Sequence, residues 1–270
     1  MNSKEKLLNA FSDGKHICVG LDTDIKKIPA HLISAVDPIL EFNKIIIEST
    51  KEHAAAYKIN LAFYEKIGSK GISSLEKTLE YLPNDIFTIG DAKRGDIGNT
   101  SQMYAESMYE HFKFDSTTLH PYMGYDSLEP FLNYSNKVNF ILALTSNAGA
   151  MDFENQKLLT GKFLYQEVIE KVNEWNKNKN CGIVFGATHS DQLRESISSF
   201  NDLFVLLPGI GAQGGSLNDV VKTFSSAEKN NYLINVSRTL IYADSSENFG
   251  VAATNEIKRL NSEISKYSRA

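Results

Sequence analysis

The chain has 270 residues, 42% hydrophobic and 23% charged, an ordinary globular composition. With 28 Lys and Arg against 33 Asp and Glu, the net charge is −5, which argues against a general nucleic-acid surface. An anionic ligand would have to be met by local cations. No apolar run approaches the length of a membrane span, and Met1 to Lys6 shows no signal-peptide apolar region, so the expected location is the cytoplasm. Cys18 and Cys181 sit inside apolar runs and read as buried thiols, neither a disulfide framework nor a metal site.

Residues 3–12 have the spacing of a short amphipathic helix, with Leu7, Leu8 and Phe11 apolar. Residues 16–22 read as a buried strand ending at Asp22, and 39–53 as a helix. A second strand, 54–60, ends near Lys58 and Asn60, and a helix follows at 69–81. The third strand, 85–93, is β-branched and apolar until it meets Asp91, Lys93, Arg94 and Asp96. Asn99-Thr100-Ser101 offers a cap for a helix over 99–112. Strands at 116–121, 138–146, 181–188, 204–211 and 232–238 alternate with helices at 127–134, 162–178, 189–199, 216–224 and 247–267.

Eight short, continuously apolar strands imply burial on both faces, as in parallel sheets. Eight βα units in this length imply one closed (β/α)8 TIM barrel spanning 1–270, with a short N-terminal helix. An open doubly wound sheet fits less well, because no Gly-x-Gly-x-x-Gly follows the first strand.

In such a barrel, sites form at the C-terminal ends of the strands. Those ends carry Asp22, Lys58 with Asn60, Asp91 with Lys93, His120, Thr145 with Ser146, Thr188, Gln213 and Arg238. A solvated rim would also be polar, so the pattern alone does not separate a site from a rim. Asp91 and Lys93 are two apart, so they share a face if the strand is regular that far; Asp96 lies just beyond, in the turn. A lysine there can hold two carboxylates that would otherwise repel, and can offer a proton beside them. The plainer alternative is a solvated charged turn.

The last two strands point to phosphate. Pro208 to Gly215 is glycine-rich and opens a helix at Ser216, so Gly214, Gly215 and the helix N–H groups can approach an anion. Arg238 at the end of strand eight suits bidentate phosphate contact. The alternative is a flexible turn and a surface ion pair. His16, His53, His111 and His189 read as surface or capping residues, and Tyr122, Tyr125 and Phe131 as core and loop packing. Asp22 could equally cap the following turn.

Asp91-Ala92-Lys93-Arg94-Gly95-Asp96 resembles the Asp-x-Lys-x-x-Asp signature of the orotidine 5'-phosphate decarboxylases. The segments at 19–22, 57–65, 121–130, 144–147, 186–188, 208–215 and 235–238 look like the longer bacterial branch of that family, in order, over roughly 16–240. The resemblance implies cofactor-free loss of CO2 from orotidine 5'-phosphate to give uridine 5'-phosphate, the last step of pyrimidine nucleotide synthesis. It implies that Lys93 protonates C6, Asp91 lies against the departing carboxylate and Lys58 holds Asp91. Asp96 and Thr100 would reach the neighbouring active site of a homodimer. Asp22 would bind ribose hydroxyls, Ser146 the pyrimidine, and Gln213 and Arg238 the phosphate. The sequence departs from the pattern at His120, where a smaller polar residue is expected, and at His189-Ser190, where a proline is expected nearby. Both lie outside the charged set.

Such a reaction makes a poorly stabilised carbanion. An enhancement of ~10^17 corresponds to about 23 kcal/mol, whereas general acid catalysis gives typically 10^2–10^4, so a pre-organised charge network must supply much of the rest. Closure over the phosphate, with 209–215 as candidate lid and 147–160 contributing, would add desolvation. Two rivals remain: a sister enzyme acting on a sugar phosphate with Mg2+, and a phosphate-ligand binding protein without turnover. Lys58 argues against the first, since a cation there would repel Mg2+.

Overall fold

The computed structural model describes residues 1–211 and 214–267. Its strands are β1 (Ile17–Gly20), β2 (Ala56–Asn60), β3 (Phe87–Arg94), β4 (Ser116–Leu119), β5 (Val138–Leu144), β6 (Cys181–Phe185), β7 (Phe204–Leu207) and β8 (Tyr232–Val236). They pair in sequence order, all parallel, and β8 closes on β1, giving the expected (β/α)8 barrel.

The helices are α1 (Ser3–Ser12), α2 (Pro38–Thr50), α3 (Ala62–Glu65), α4 (Ser69–Tyr81), α5 (Gly98–Glu106), α6 (Glu129–Leu132), α7 (Leu164–Trp175), α8 (Ser190–Ser196), α9 (Leu217–Ser226), α10 (Arg238–Ile241) and α11 (Phe249–Ser265). Local chemistry fixes their starts. Asn2 accepts from the Glu5 N–H while Glu5 accepts from the Asn2 N–H, a reciprocal cap on α1 worth about 1 kcal/mol. Asp37 caps α2 ahead of Pro38, and Ser216 caps α9. None of the described helices is long and apolar enough to cross a membrane.

Two apolar layers hold the barrel. The interior is filled from alternate strand residues, among them Ala56, Phe87, Ile89, Phe140, Leu206 and Leu233. Gly182 leaves the space for the Phe140 ring; a Cβ there would sit 2.8 Å from it. Truncating a buried Phe such as Phe140 costs about 3–5 kcal/mol. Leu7 and Phe11 of α1 plug the N-terminal end. The second layer lies between strands and outer helices and includes Phe42, Tyr64, Leu75, Phe185 and Phe249.

Several expectations need correction. His16 is neither a surface nor a capping residue. It is buried, stacked between Phe11 and Tyr232, with Nδ1 2.9 Å from the Tyr232 carbonyl. Tyr122 is 81% exposed and takes no part in the core, packing edge-on against Phe153 of the loop after β5 instead. The helix expected at 127–134 is a 3-10 turn, Tyr125–Ser127, followed by the short α6, because Pro130 can sit only in a helix's first turn. The Asn99-Thr100-Ser101 cap is not used: α5 starts at Gly98, Thr100 is an exposed helical residue, and Ser101 donates to the Ser127 carbonyl. Cys18 and Cys181 are buried free thiols, as expected.

Candidate active site

Period-two alternation carries the interior pattern up to the mouth. Ala56 faces inward on β2, and so does Lys58 two residues on; Phe87 and Ile89 do the same for Asp91 on β3. The apolar interior thus ends in charge. Lys58 Nζ lies 2.8 Å from Asp91 Oδ2 and 3.5 Å from Asp22 Oδ1, and Lys93 Nζ lies 2.7 Å from Asp91 Oδ1. Asp22, Lys58, Asp91 and Lys93 form one chain of alternating charge. Its middle is buried and its Lys93 end is 49% exposed. The solvated-turn alternative is excluded for this set.

Burial acts against both inner charges, and the partners outweigh it. Burial pushes the Asp91 carboxyl up, but Lys58 and Lys93 hold it well below the usual carboxylate range. Burial likewise disfavours the Lys58 ammonium, and Asp22 and Asp91 raise it above the ordinary lysine value. Directly below, burial pushes the Cys18 thiol up to about 12, so it stays protonated and inert.

Asp91 and Lys93 do not share a face through a regular strand. The β3–β4 register shifts between Gly90, paired with Thr117, and Arg94, paired with Leu119: four steps on β3 against two on β4. Lys93 takes up the excess with φ +47, a left-handed conformation that costs a side-chain-bearing residue about 1–3 kcal/mol. Its N–H donates to Thr118 Oγ1 at 2.9 Å, and that hydroxyl donates to Asp91 Oδ1 at 2.9 Å. Thr118 is buried and did not stand out in the sequence, where it is one threonine of a short strand.

Asp22 is held by its neighbours. Asn43 accepts from Thr23 at 2.6 Å and donates to Tyr64 and Thr78, and the Tyr64 hydroxyl donates to the Leu21 carbonyl at 3.0 Å. The Tyr242 hydroxyl takes the Asp24 N–H at 2.7 Å and donates to the Asp22 carbonyl at 3.2 Å. Asp22 turns its carboxylate to Lys58, and no backbone N–H among the described residues donates to it. None of Asn43, Tyr64 and Tyr242 was legible as a site residue, because Asn43 looks like an ordinary helical side chain and Tyr64 and Tyr242 fall between expected elements.

A cleft of about 370 Å³ opens beside this cluster, lined by Asp22, Gly209, Asn235, Ser237, Arg238 and Tyr242 among others. The Asn235 side-chain oxygen is buried there without a hydrogen-bond partner among the described residues. Gly209, Gly211 and Gly214 have φ of +102, +75 and +86, which explains their glycines, and the Gly215 N–H donates to the Gly209 carbonyl at 3.0 Å. Arg238 is exposed at the start of α10 and has no acidic partner among the described residues, against the surface-ion-pair alternative. Gln213 lies outside the described residues.

Asp96 does not join the cluster. Its carboxylate accepts from the Ile97 N–H at 2.8 Å, and among the described residues it has no cationic partner. Ser146 follows Thr145, whose carbonyl lies 2.9 Å from His189 Nε2 and whose N–H and hydroxyl donate to Glu154. His189 thus ties the loop after β6 to the end of β5. The other departure, His120, packs against Gly95, where a Cβ would lie 3.0 Å from the imidazole.

Residues 15–249 match the orotidine 5'-phosphate decarboxylase / HUMPS family. The chain belongs to this family. It is 48% identical over 259 residues to the orotidine 5'-phosphate decarboxylase of Porphyromonas gingivalis, covering 95% of this chain and 94% of that one. The solved structure of Leishmania donovani OMP decarboxylase superposes with a TM-score of 0.86 at 35% identity, covering all of both chains. That of Leishmania donovani UMP synthase gives 0.88 at 36% identity; this chain is covered entirely and spans 57% of that longer one. The charged chain from Asp22 to Lys93 is thus built on the barrel of the orotidine 5'-phosphate decarboxylase family.

Proposed function

We propose that the protein is an orotidine 5'-phosphate decarboxylase working as one barrel domain in a cytoplasmic homodimer, releasing CO2 without a metal or organic cofactor and leaving uridine 5'-phosphate. The observation that carries this is Asp91 held between Lys58 at 2.8 Å and Lys93 at 2.7 Å, at the strand ends where barrel chemistry occurs. Asp91 stays ionised and is fixed by three donors, so it cannot turn away from a substrate carboxylate pressed against it. As the C6–carboxylate bond breaks, its electron pair stays on C6. Lys93 donates the proton that forms the new C–H bond and is reprotonated through its exposed side. The charges are in place before the reaction, so they stabilise the developing carbanion without reorganisation.

Asp22 would take the ribose hydroxyls, and Arg238, Gly214, Gly215 and Gln213 the phosphate; Ser146 would meet the pyrimidine. The cleft between Asp22 and Arg238 supports that direction. Asp96 and Thr100 would complete the neighbouring site across the homodimer. The exposed apolar Ile97 and Met103 beside them favour a buried contact there. Lys58 at the base of the site argues against an Mg2+-dependent reaction on a sugar phosphate.

The test follows the absorbance of orotidine 5'-phosphate after exhaustive EDTA treatment. Undiminished turnover is expected. Turnover of a sugar phosphate that EDTA abolishes, or tight uridine 5'-phosphate binding with no turnover, would overturn the reading.

A further inference from the structure

Resting on that reading, we infer that the Thr118 hydroxyl is a positioning group for proton delivery, setting with one oxygen both the backbone of Lys93 and the carboxylate oxygen to which the Lys93 ammonium is bound. The register shift in β3 takes Lys93 away from the ladder carbonyls of β4, so its N–H needs another acceptor. Thr118 Oγ1 provides it at 2.9 Å, and the ladder resumes one turn of the pleat later, where the His120 N–H donates to the Arg94 carbonyl at 3.0 Å. Having accepted from Lys93, the same hydroxyl spends its own proton on Asp91 Oδ1 at 2.9 Å, the oxygen that also binds Lys93 Nζ at 2.7 Å.

Two atoms of the reacting pair, the Lys93 amide nitrogen and Asp91 Oδ1, are therefore held by one side chain on the neighbouring strand. The arrangement is more than a buried hydroxyl finding partners. Ser116, two residues earlier on β4, is buried and its hydroxyl has no partner among the described residues, so this wall of the barrel tolerates an unpaired hydroxyl. Thr118 is paired twice, both times to the groups that do the chemistry. Without its hydroxyl, the left-handed Lys93 backbone loses an anchor and Asp91 Oδ1 loses its fixed neutral donor. The ammonium is then free to drift from the line to C6. Thr118 is 2% exposed and offers a ligand almost no surface, so substrate affinity should be nearly untouched.

The experiment compares wild type, Thr118→Val, which keeps the shape, and Thr118→Ser, which restores the hydroxyl. Thr118→Val should lose kcat by about 10- to 100-fold, the scale of one hydrogen bond to a charged group or of a small misplacement. KM and uridine 5'-phosphate affinity should change by less than about threefold, the margin of an interaction not made with the ligand. Thr118→Ser should recover most of kcat. In the protein without substrate, the Lys93 amide should exchange its hydrogen about tenfold or more faster in Thr118→Val. Wild-type kcat in Thr118→Val, equal losses in the Val and Ser variants, or unchanged Lys93 exchange would each overturn the inference. Failure of the wild type to consume orotidine 5'-phosphate would instead remove the proposed function, while the exchange measurement still decides whether Thr118 anchors Lys93.

Discussion

Each end of the barrel buries an aspartate. At the closed end, Asp115 takes Lys6 at 2.9 Å, Ser3 at 2.8 Å, and the Thr88 N–H and hydroxyl at 3.0 and 3.1 Å. One cation balances one anion, and neutral donors fill the remaining lone pairs. That set fastens α1 across the barrel floor. At the mouth, Asp91 takes two lysines and one hydroxyl, and the second lysine is half-exposed. A buried carboxylate completed by neutral donors is a fastening. One that shares a second, solvent-reaching cation is a site where charge can act on a ligand.

Matched substitutions should separate the two ends. Lys58→Met leaves Asp91 with Lys93 and Thr118 but takes the cation from Asp22; it should cost kcat about 10^3-fold or more, with a smaller fall in melting temperature than the loss of Lys6. Lys6→Met takes from the buried Asp115 its ion-pair partner. It should lower stability by about 3–5 kcal/mol, read as a fall in Tm of roughly 10 °C, with turnover intact at room temperature. If Lys6→Met stopped turnover without loosening the fold, the division between the ends would be wrong.

A smaller effect should separate them by pH. Burial lowers the His16 pKa at the closed end, although its hydrogen bonds to the Tyr232 carbonyl and Asn230 work the other way. The unfolded chain then binds that proton more readily. Stability from His16 is present above about pH 6.5 and lost as pH falls through the lower folded value. Asp91 is also lowered, but from the carboxylate range, so its contribution is whole above about pH 4 and lost only below. Between neutrality and pH 5 the slope should come from the closed end. His16→Phe, which keeps the stacking, should flatten the dependence of Tm on pH; an unchanged slope would place the titrating group elsewhere.

The barrel was legible because each strand is an uninterrupted apolar run and each helix repeats its apolar residues on one face. The charged residues at the strand ends were legible for the same reason: Asp22, Lys58, Asp91 and Lys93 stand where apolar runs stop. Their connections were not. The register shift at 90–94 leaves no mark in composition, so the path from Lys93 through Thr118 to Asp91 had no local signal. His16 was misread because a single histidine before a strand looks like a boundary residue. Only the later packing of Phe11 from α1 and Tyr232 from β8 buries it. Asp96 reads as a member of the cluster in a linear motif, but the turn takes it to the Ile97 N–H instead.

The most direct test of the mouth as the reacting centre is Lys93→Ala, measured for kcat on orotidine 5'-phosphate alongside uridine 5'-phosphate affinity and Tm. Lys93 is 49% exposed, so its loss should spare the fold. The account predicts a fall in kcat of at least about 10^3-fold with product affinity and Tm largely retained. A variant that kept wild-type kcat would contradict it, because the proton would then come from a group other than Lys93.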